Sequence, residues 1–231
     1  MKNTICNFDI KKIKDKGFIL YNNDIPYTTN KGNNILLPCI IKEKKFIKKL
    51  NIDFAKNQES TFFKILFYSA DIDKNSREVI EKKILNYIDT DLICYREKIG
   101  SELEKIQREK WDSYLNFCKN KFQLDFKLNY SLMPFTQKKI NHKKITNLIK
   151  KMNPHYITIF FFLVELTNSI IISLNILYNN INIDDAWEAS NLEYSYNQKK
   201  WGIDKELKSN LLLKKILFND IINYIMFFSK E

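Results

Sequence analysis

Asp89 and Asp91, two residues apart, and Glu193 on a predicted helix are the carboxylates on which acid–base chemistry could be built. A working pair needs both groups in one cleft, about 5–10 Å apart. A DTD at a helix break more often does capping and turn chemistry. Gly17, Gly32, Gly100 and Gly202 stand alone, so no glycine-rich phosphate loop can be assembled. His142 and His155 lie in unrelated contexts and offer neither a triad nor a metal cage. Cys6, Cys39, Cys94 and Cys118 are far apart and form no CxxC. The expectation is reduced thiols in a reducing compartment, with no metal and no cofactor. What remains is a set of polar and aromatic residues on apolar helices: Asp91, Tyr95, Arg96, Gln107, Trp111, Asp112, Glu193, Gln198 and Trp201. Arg, Tyr and Trp are enriched where proteins grip proteins. The same residues could instead tie helices together inside a domain.

The element that must carry Glu193 and Trp201 is DAWEASNLEYSYNQKKWG, residues 185–202, which reads as one helix. Asp184 or Asp185 caps its start, and Gly202 ends it in a left-handed conformation. Ala186, Ala189, Leu192, Tyr196 and Lys200 recur at helical spacing and predict the packing face, with Trp201 packed at the end.

Upstream, residues 1–70 read as a small β-rich domain and residues 71–231 as a larger all-helical one, an α+β chain. Residues 5–13 alternate. Residues 18–21 and 25–29 flank an Asn-Asn-Asp cluster and predict a hairpin, and 35–37 a further strand. Residues 40–50 predict a short amphipathic helix. Further helices are predicted from a Ser76 cap to residue 87, over 101–122, from an Asn141 cap through Met152, and from Pro154 to residue 178. Residues 124–132 read as extended, and a last helix spans 204–228 with Leu211, Leu212, Lys215, Ile216, Asn219, Ile222 and Met226 on one side.

The stretch ITIFFFLVELTNSIIISLNILY is apolar over about the twenty residues a bilayer needs. Glu165 near its middle would cost about 2.5–3.5 kcal/mol to insert. A helix buried in the protein is the favoured reading, with no membrane insertion and with Glu165 needing a partner.

The chain has 231 residues, 45% hydrophobic and 28% charged, a globular composition. Four glycines and four prolines are too few for a turn-rich all-β fold. The +11 charge invites a lysine-rich nucleic-acid-binding protein as the alternative function. Only three of the 38 basic residues are arginine, the residue that reads phosphate and guanine bidentately. A/T-biased codons produce such a composition without selection for binding, so no nucleic-acid partner is expected. The N-terminus has neither an apolar signal core nor an arginine-rich transit character. The expectation is a monomer of the bacterial cytoplasm, or of the mitochondrial matrix if the source is eukaryotic.

Four stretches, in order, resemble the F1-ATPase assembly factor 2 chaperones of mitochondria and α-proteobacteria. They are DTDLICYR (89–96), LEKIQREKWD (103–112), LTNSIIISLNIL (166–177) and AWEASNLEYSYNQKKWG (186–202). The last resembles the family's A-x-x-x-S-x-LEE-x-x-Q-x-x-x-WG element and is the most specific. The N-terminal FILYNNDIPYTTNKGNNILLP fits more loosely. Tyr194 stands where the family has a second glutamate, Asn197 where it has glutamine with Gln198 adjacent, and AKNQESTFFKI where it has a methionine-proline loop. The resemblance implies a β-rich domain followed by a helical one. It also implies a non-enzymatic chaperone that binds the free α subunit of F1-ATPase and shields its β-facing interface until assembly. The client-binding residues carried over are Glu193, Gln198, Trp201, Gly202, Asp91, Tyr95, Arg96, Gln107 and Trp111, with Glu193 matching the family's important carboxylate.

Overall fold

The computed structural model describes residues 7–13, 17–38, 43–56, 60–202 and 205–228. The predicted positions Ile5, Ile40, Ile41, Cys6 and Cys39 lie outside the described residues. Four short strands come first: β1 (Phe8–Ile13), β2 (Gly17–Asn22), β3 (Ile25–Pro26) and β4 (Leu36–Leu37). All pair antiparallel to β2, with Phe8 opposite Asn22, Asn22 opposite Ile25 and Phe18 opposite Leu37. The predicted hairpin is there. Its two turn residues, Asn23 and Asp24, both have positive φ (50° and 62°), the backbone whose twist suits a two-residue hairpin. Gly17 also needs its freedom, because at φ +90° a Cβ there would overlap the Leu37 carbonyl oxygen.

Ten α-helices follow among the described residues: α1 (Glu43–Lys56), α2 (Thr61–Ala70), α3 (Lys74–Asn86), α4 (Glu102–Phe122), α5 (Lys139–Lys151), α6 (Pro154–Thr167), α7 (Ile170–Leu177), α8 (Ile183–Ser190), α9 (Leu192–Trp201) and α10 (Lys205–Ile225). The α+β class is therefore as the sequence indicated. The chain gathers into two compact units. One holds residues 1–77 with 153–159 and 219–231, the other 78–152 with 160–218.

The first unit closes on aromatic side chains. Phe8 meets Tyr27 and Phe54 edge-on, and Phe62 meets Tyr224 with ring centroids 4.9 Å apart. Edge-to-face pairs of this kind add about 0.5–1.5 kcal/mol beyond burial. His155 is buried among them. Its Nδ1 lies 3.1 Å from Ser69 Oγ and 2.9 Å from the Tyr224 hydroxyl, and its Nε2 meets the Leu36 carbonyl oxygen.

In the second unit α4 packs on α7 and α9, and α7 on α8. The helix expected over 101–122 is α4, and Ser101 caps it by accepting from the Glu104 N–H. Elsewhere the caps differ from the expectation. Asp73 rather than Ser76 opens α3: the Ser76 N–H donates to its carboxylate at 2.7 Å, and Ser76 Oγ accepts from the Asp73 N–H in return. Asn141 lies inside α5, buried, and donates to the Asp125 carbonyl instead of capping. Residues 124–132 form no strand; a single bridge joins Tyr95 to Asn129.

Two predicted long helices are each broken in two. The apolar run from Pro154 stops at Asn168, which turns left-handed at φ 52°, and Ser169 caps α7 by accepting from the Ile172 N–H. Neither half is long enough to cross a bilayer, and no helix among the described residues is long and apolar enough to do so. Glu165 is exposed, so its expected need for a buried partner falls away. The second break, at Asn191, divides residues 183–201 and is described with the site. On α10 the inward residues are Phe218, Ile221, Ile222 and Tyr224. Leu212, Ile216, Asn219 and Met226, predicted on the packing side, are exposed. Lysines and polar groups between the leucines blur the 3.6-residue period there, so either side of the helix reads as apolar.

Candidate functional site

The four stretches singled out in the sequence interlock. Asp91 opens a 3₁₀ turn (Leu92–Cys94) by accepting from the Ile93 N–H. The same oxygen accepts from Ser169 Oγ at 2.7 Å, and its other oxygen accepts from the Ile171 N–H at 3.1 Å. One fully buried carboxylate thus caps both the 3₁₀ turn and α7, and this is why the apolar run breaks at Asn168. The Leu92 N–H donates to the Asn168 carbonyl and completes the seam. Burial pushes the Asp91 carboxyl up to about 6, against the lowering pull of these donors. Asp89 is also structural. It accepts from the Gln137 N–H at 2.8 Å and lies 3.0 Å from His142 Nε2. Capping and turn chemistry is what this DTD does. The Asp91 carboxylate faces no cleft, so it cannot partner Glu193 in acid–base work.

Arg96 and Trp111 form the next layer. The Arg96 guanidinium donates to the Ile93 carbonyl and to Asp112 (2.9 Å each), while lying 5.2 Å from the Trp111 ring centroid. The indole N–H of Trp111 donates to the Ala189 carbonyl at 3.0 Å, which ties α4 to α8. Both side chains are buried. Tyr95 is half-buried; its hydroxyl donates to the Asp89 carbonyl and its ring meets Phe135 edge-on.

Gln107 is buried and carries the network outward. Its carbonyl oxygen accepts from the Glu97 N–H at 2.9 Å, and its amide donates to Glu193 at 2.7 Å. Glu193 lies half-buried in the first turn of α9, where a carboxylate is favoured by the helix dipole. Partial burial raises its pKa, the Gln107 donor lowers it, and the nearby Glu97 raises it again.

Residues 185–202 are not one helix. Asn182, not Asp184 or Asp185, caps α8 by accepting from the Asp185 N–H at 2.8 Å. Asn191 then leaves the helical region (φ −120°, ψ 18°) and turns its side-chain amide back onto the Trp187 carbonyl. Asparagine competes with the backbone ladder in this way. Ala186, Ala189 and Leu192 are buried as predicted, joined by Trp187, while Tyr196 is half-buried and Lys200 exposed. Gly202 has φ 93° and ψ 176°, a positive-φ region reserved for glycine but not the left-handed helical one expected. Its N–H closes α9 on the Gln198 carbonyl, and the Gln198 side chain points to the Tyr194 hydroxyl at 3.5 Å. Trp201, predicted to be packed, is 79% exposed.

Of the nine predicted site residues, Asp91, Arg96, Gln107 and Trp111 are interior and the other five lie partly or wholly at the surface. Sequence reasoning missed a groove of about 840 Å³ beside them, between α4 and α8–α9. Ile106, Ala189 and Leu192 contribute its apolar lining, Asp185 and Glu188 acid, Lys199 and Lys200 base. The Tyr114 phenol, also in this lining, is raised by burial and by those two carboxylates. The signal for the groove was present as charge clustered on α8 and α9, but only the pairing with α4 makes it concave. Cys94 and Cys118 are free and buried, and burial raises both thiols far above reactivity. Among the described residues no three metal-binding side chains cluster.

Comparison with known proteins agrees with this architecture. A family model described as ATP12 chaperone protein matches residues 48–119, which include α2, α3, the Asp91 turn and most of α4. The mitochondrial protein atp12 of Schizosaccharomyces pombe is 29% identical over 161 residues, 62% of this chain; the match spans 54% of that protein, about half its length. In fold, the crystal structure of Atp12 from Paracoccus denitrificans superposes with a TM-score of 0.83 at 17% identity, covering 96% of each chain. A protein of Agrobacterium tumefaciens superposes at 0.81 with 19% identity, covering 96% of this chain and 84% of its own. Over residues 48–119 the chain is thus similar to the ATP12 chaperone protein family, and its fold is that of the Paracoccus denitrificans Atp12.

Proposed function

We propose that this protein is a non-enzymatic assembly chaperone of the F1 sector of ATP synthase, binding the free α subunit and shielding its β-facing interface until assembly. The observation that carries the reading is the convergence of all four family-like stretches beneath one carboxylate. Asp91, Arg96, Trp111 and Gln107 are locked inside, and the network surfaces at Glu193. Such an arrangement preorganises a surface and offers no reacting pair. The interior four then act as positioning residues. Contact with the client falls to Glu193, Gln198 and Trp201, and an indole left in water is the kind of side chain that anchors interfaces. The free subunit of an obligate oligomer exposes a large apolar interface, which is insoluble unless covered.

The test is co-expression with the α subunit of the same host's F1-ATPase, scoring soluble α and co-elution. Wild type keeps α soluble and co-elutes with it. Glu193→Lys and Trp201→Ala, both with unchanged circular dichroism, lose co-elution by tenfold or more. If wild type leaves α insoluble, the reading is wrong.

A further inference from the structure

Helix α9 is lightly held. Of its 10 residues only Leu192 is buried, whereas the adjoining α8 buries Ala186, Trp187 and Ala189 within 8. Tyr194, Ser195, Tyr196 and Asn197, at its centre, are all middling helix formers. No side chain caps its start, while Ser101, Ser169 and Asn182 cap α4, α7 and α8. A free helix shorter than about 12–15 residues is marginal in water, so α9 depends on what it packs against. Among the described residues, two side-chain hydrogen bonds tie α9 to another element, and both reach α4. Gln107 donates to Glu193 at 2.7 Å, and the Tyr196 hydroxyl donates to Glu102 at 2.9 Å. Glu193 and Tyr196 lie one turn apart, in the first half of the helix.

Both ends of α9 have the backbone of a hinge. Asn191 leaves the helical region at φ −120° and ψ 18°, and Gly202 takes φ 93°. Element-terminal residues of this kind absorb the change in φ and ψ when a segment swings. The helix is also one wall of the groove against α4, to which it gives Leu192, Ser195, Tyr196, Lys199 and Lys200. Releasing it breaks two hydrogen bonds and bares Leu192 and the half-buried Ile106, a small apolar surface. Unfolding the unit bares α7, which is buried along its whole length. The first event is therefore far easier than the second.

We propose that α9 is a hinged strap, which opens and closes as one unit about Asn191 and Gly202 on two latches, Gln107–Glu193 and Glu102–Tyr196. Closed, it narrows the groove against α4; open, it gives access to Ile106. Glu193 and Trp201 both ride on it, so the strap is the part of the surface that adjusts to a client. Its use rests on the chaperone reading, but its motion does not.

Amide hydrogen exchange of the full chain without client, read by mass spectrometry in buffer and in dilute urea, follows the strap directly. The amides of residues 195–202, bonded within α9, exchange at least about a hundredfold faster than those of α4 and α7. Urea speeds α7 much more than α9, because the local opening exposes little surface. Tyr196→Phe keeps the ring and removes one latch. It speeds α9 about two- to tenfold and leaves α4 and α7 as they were. Exchange of α9 at the rate and urea dependence of α7 means that it comes free only with the whole unit, and overturns the proposal. Exchange at the rate of an unprotected chain means that the strap never closes, and overturns it too. So does a Tyr196→Phe variant that leaves α9 unchanged, or that speeds all three helices alike. None of these readouts involves a client, so failure of the co-expression test leaves them standing.

Discussion

His155 carries an acid sensitivity that its place in the sequence does not announce. Its Nε2–H points at the Leu36 carbonyl, so Nδ1 is the acceptor, and Tyr224 supplies the donor because Ser69 already donates to the Leu66 carbonyl. Burial lowers its pKa to about 4, against an ordinary 6.5. A histidine held neutral when folded contributes stability that is complete above its unfolded pKa and is lost as pH falls toward the folded one. A drop of this size corresponds to about 3 kcal/mol. Urea denaturation at pH 7 and pH 4.5 will show the loss, and His155→Gln will flatten it. Asp91 runs the other way. With its carboxyl raised to about 6, its contribution is complete below about pH 4 and lost as pH rises through 6. Asp91→Asn removes that opposing slope, read from the same titration.

At the scale of elements, the breaks at Asn168 and Asn191 matter more than the helices they divide. The first exists because Asp91 reaches across from the 3₁₀ turn to the start of α7. Ser169→Ala removes both the α7 cap and one Asp91 donor, and leaves a buried carboxylate short of a partner. The expected cost is about 1–3 kcal/mol in urea denaturation. Asn168→Gly, at φ 52° where glycine is at ease, should change stability by less than about 0.5 kcal/mol. A large loss there would mean the Asn168 side chain, rather than its backbone, holds the break. The second break sets Glu193 in the first turn of a new helix. An unbroken helix through residues 185–202 would place that carboxylate mid-helix, without the N-terminal dipole.

For the molecule as a whole, the surplus of lysine is a surface property more than a site. A phosphate-binding groove would gather these charges with arginine, and the three arginines here do not provide it. At about 150 mM salt labelled duplex DNA and single-stranded RNA should give no retarded band, because unfocused lysines lose their counterion-release advantage there. A band that persists would restore the nucleic-acid alternative.

The sequence by itself determined the elements whose signals are local. Asn23-Asp24 specifies the hairpin through its own backbone preference, Ser101 caps α4 by accepting from an N–H three residues on, and Pro154 begins α6. The α+β order and the four family-like stretches were legible for the same reason, since each is read within about twenty residues. Tertiary structure decided what depends on partners far along the chain. Asp91 breaks the apolar run from 78 residues away at Ser169, and Gln107 reaches Glu193 across 86. Nothing near those positions encodes the meeting. Whether Trp201 or the leucines of α10 are buried was equally undecided, because an apolar side chain has the same local pattern whether a neighbour covers it or not. Only the packed fold shows that Trp201, Leu212, Leu213 and Leu217 are exposed.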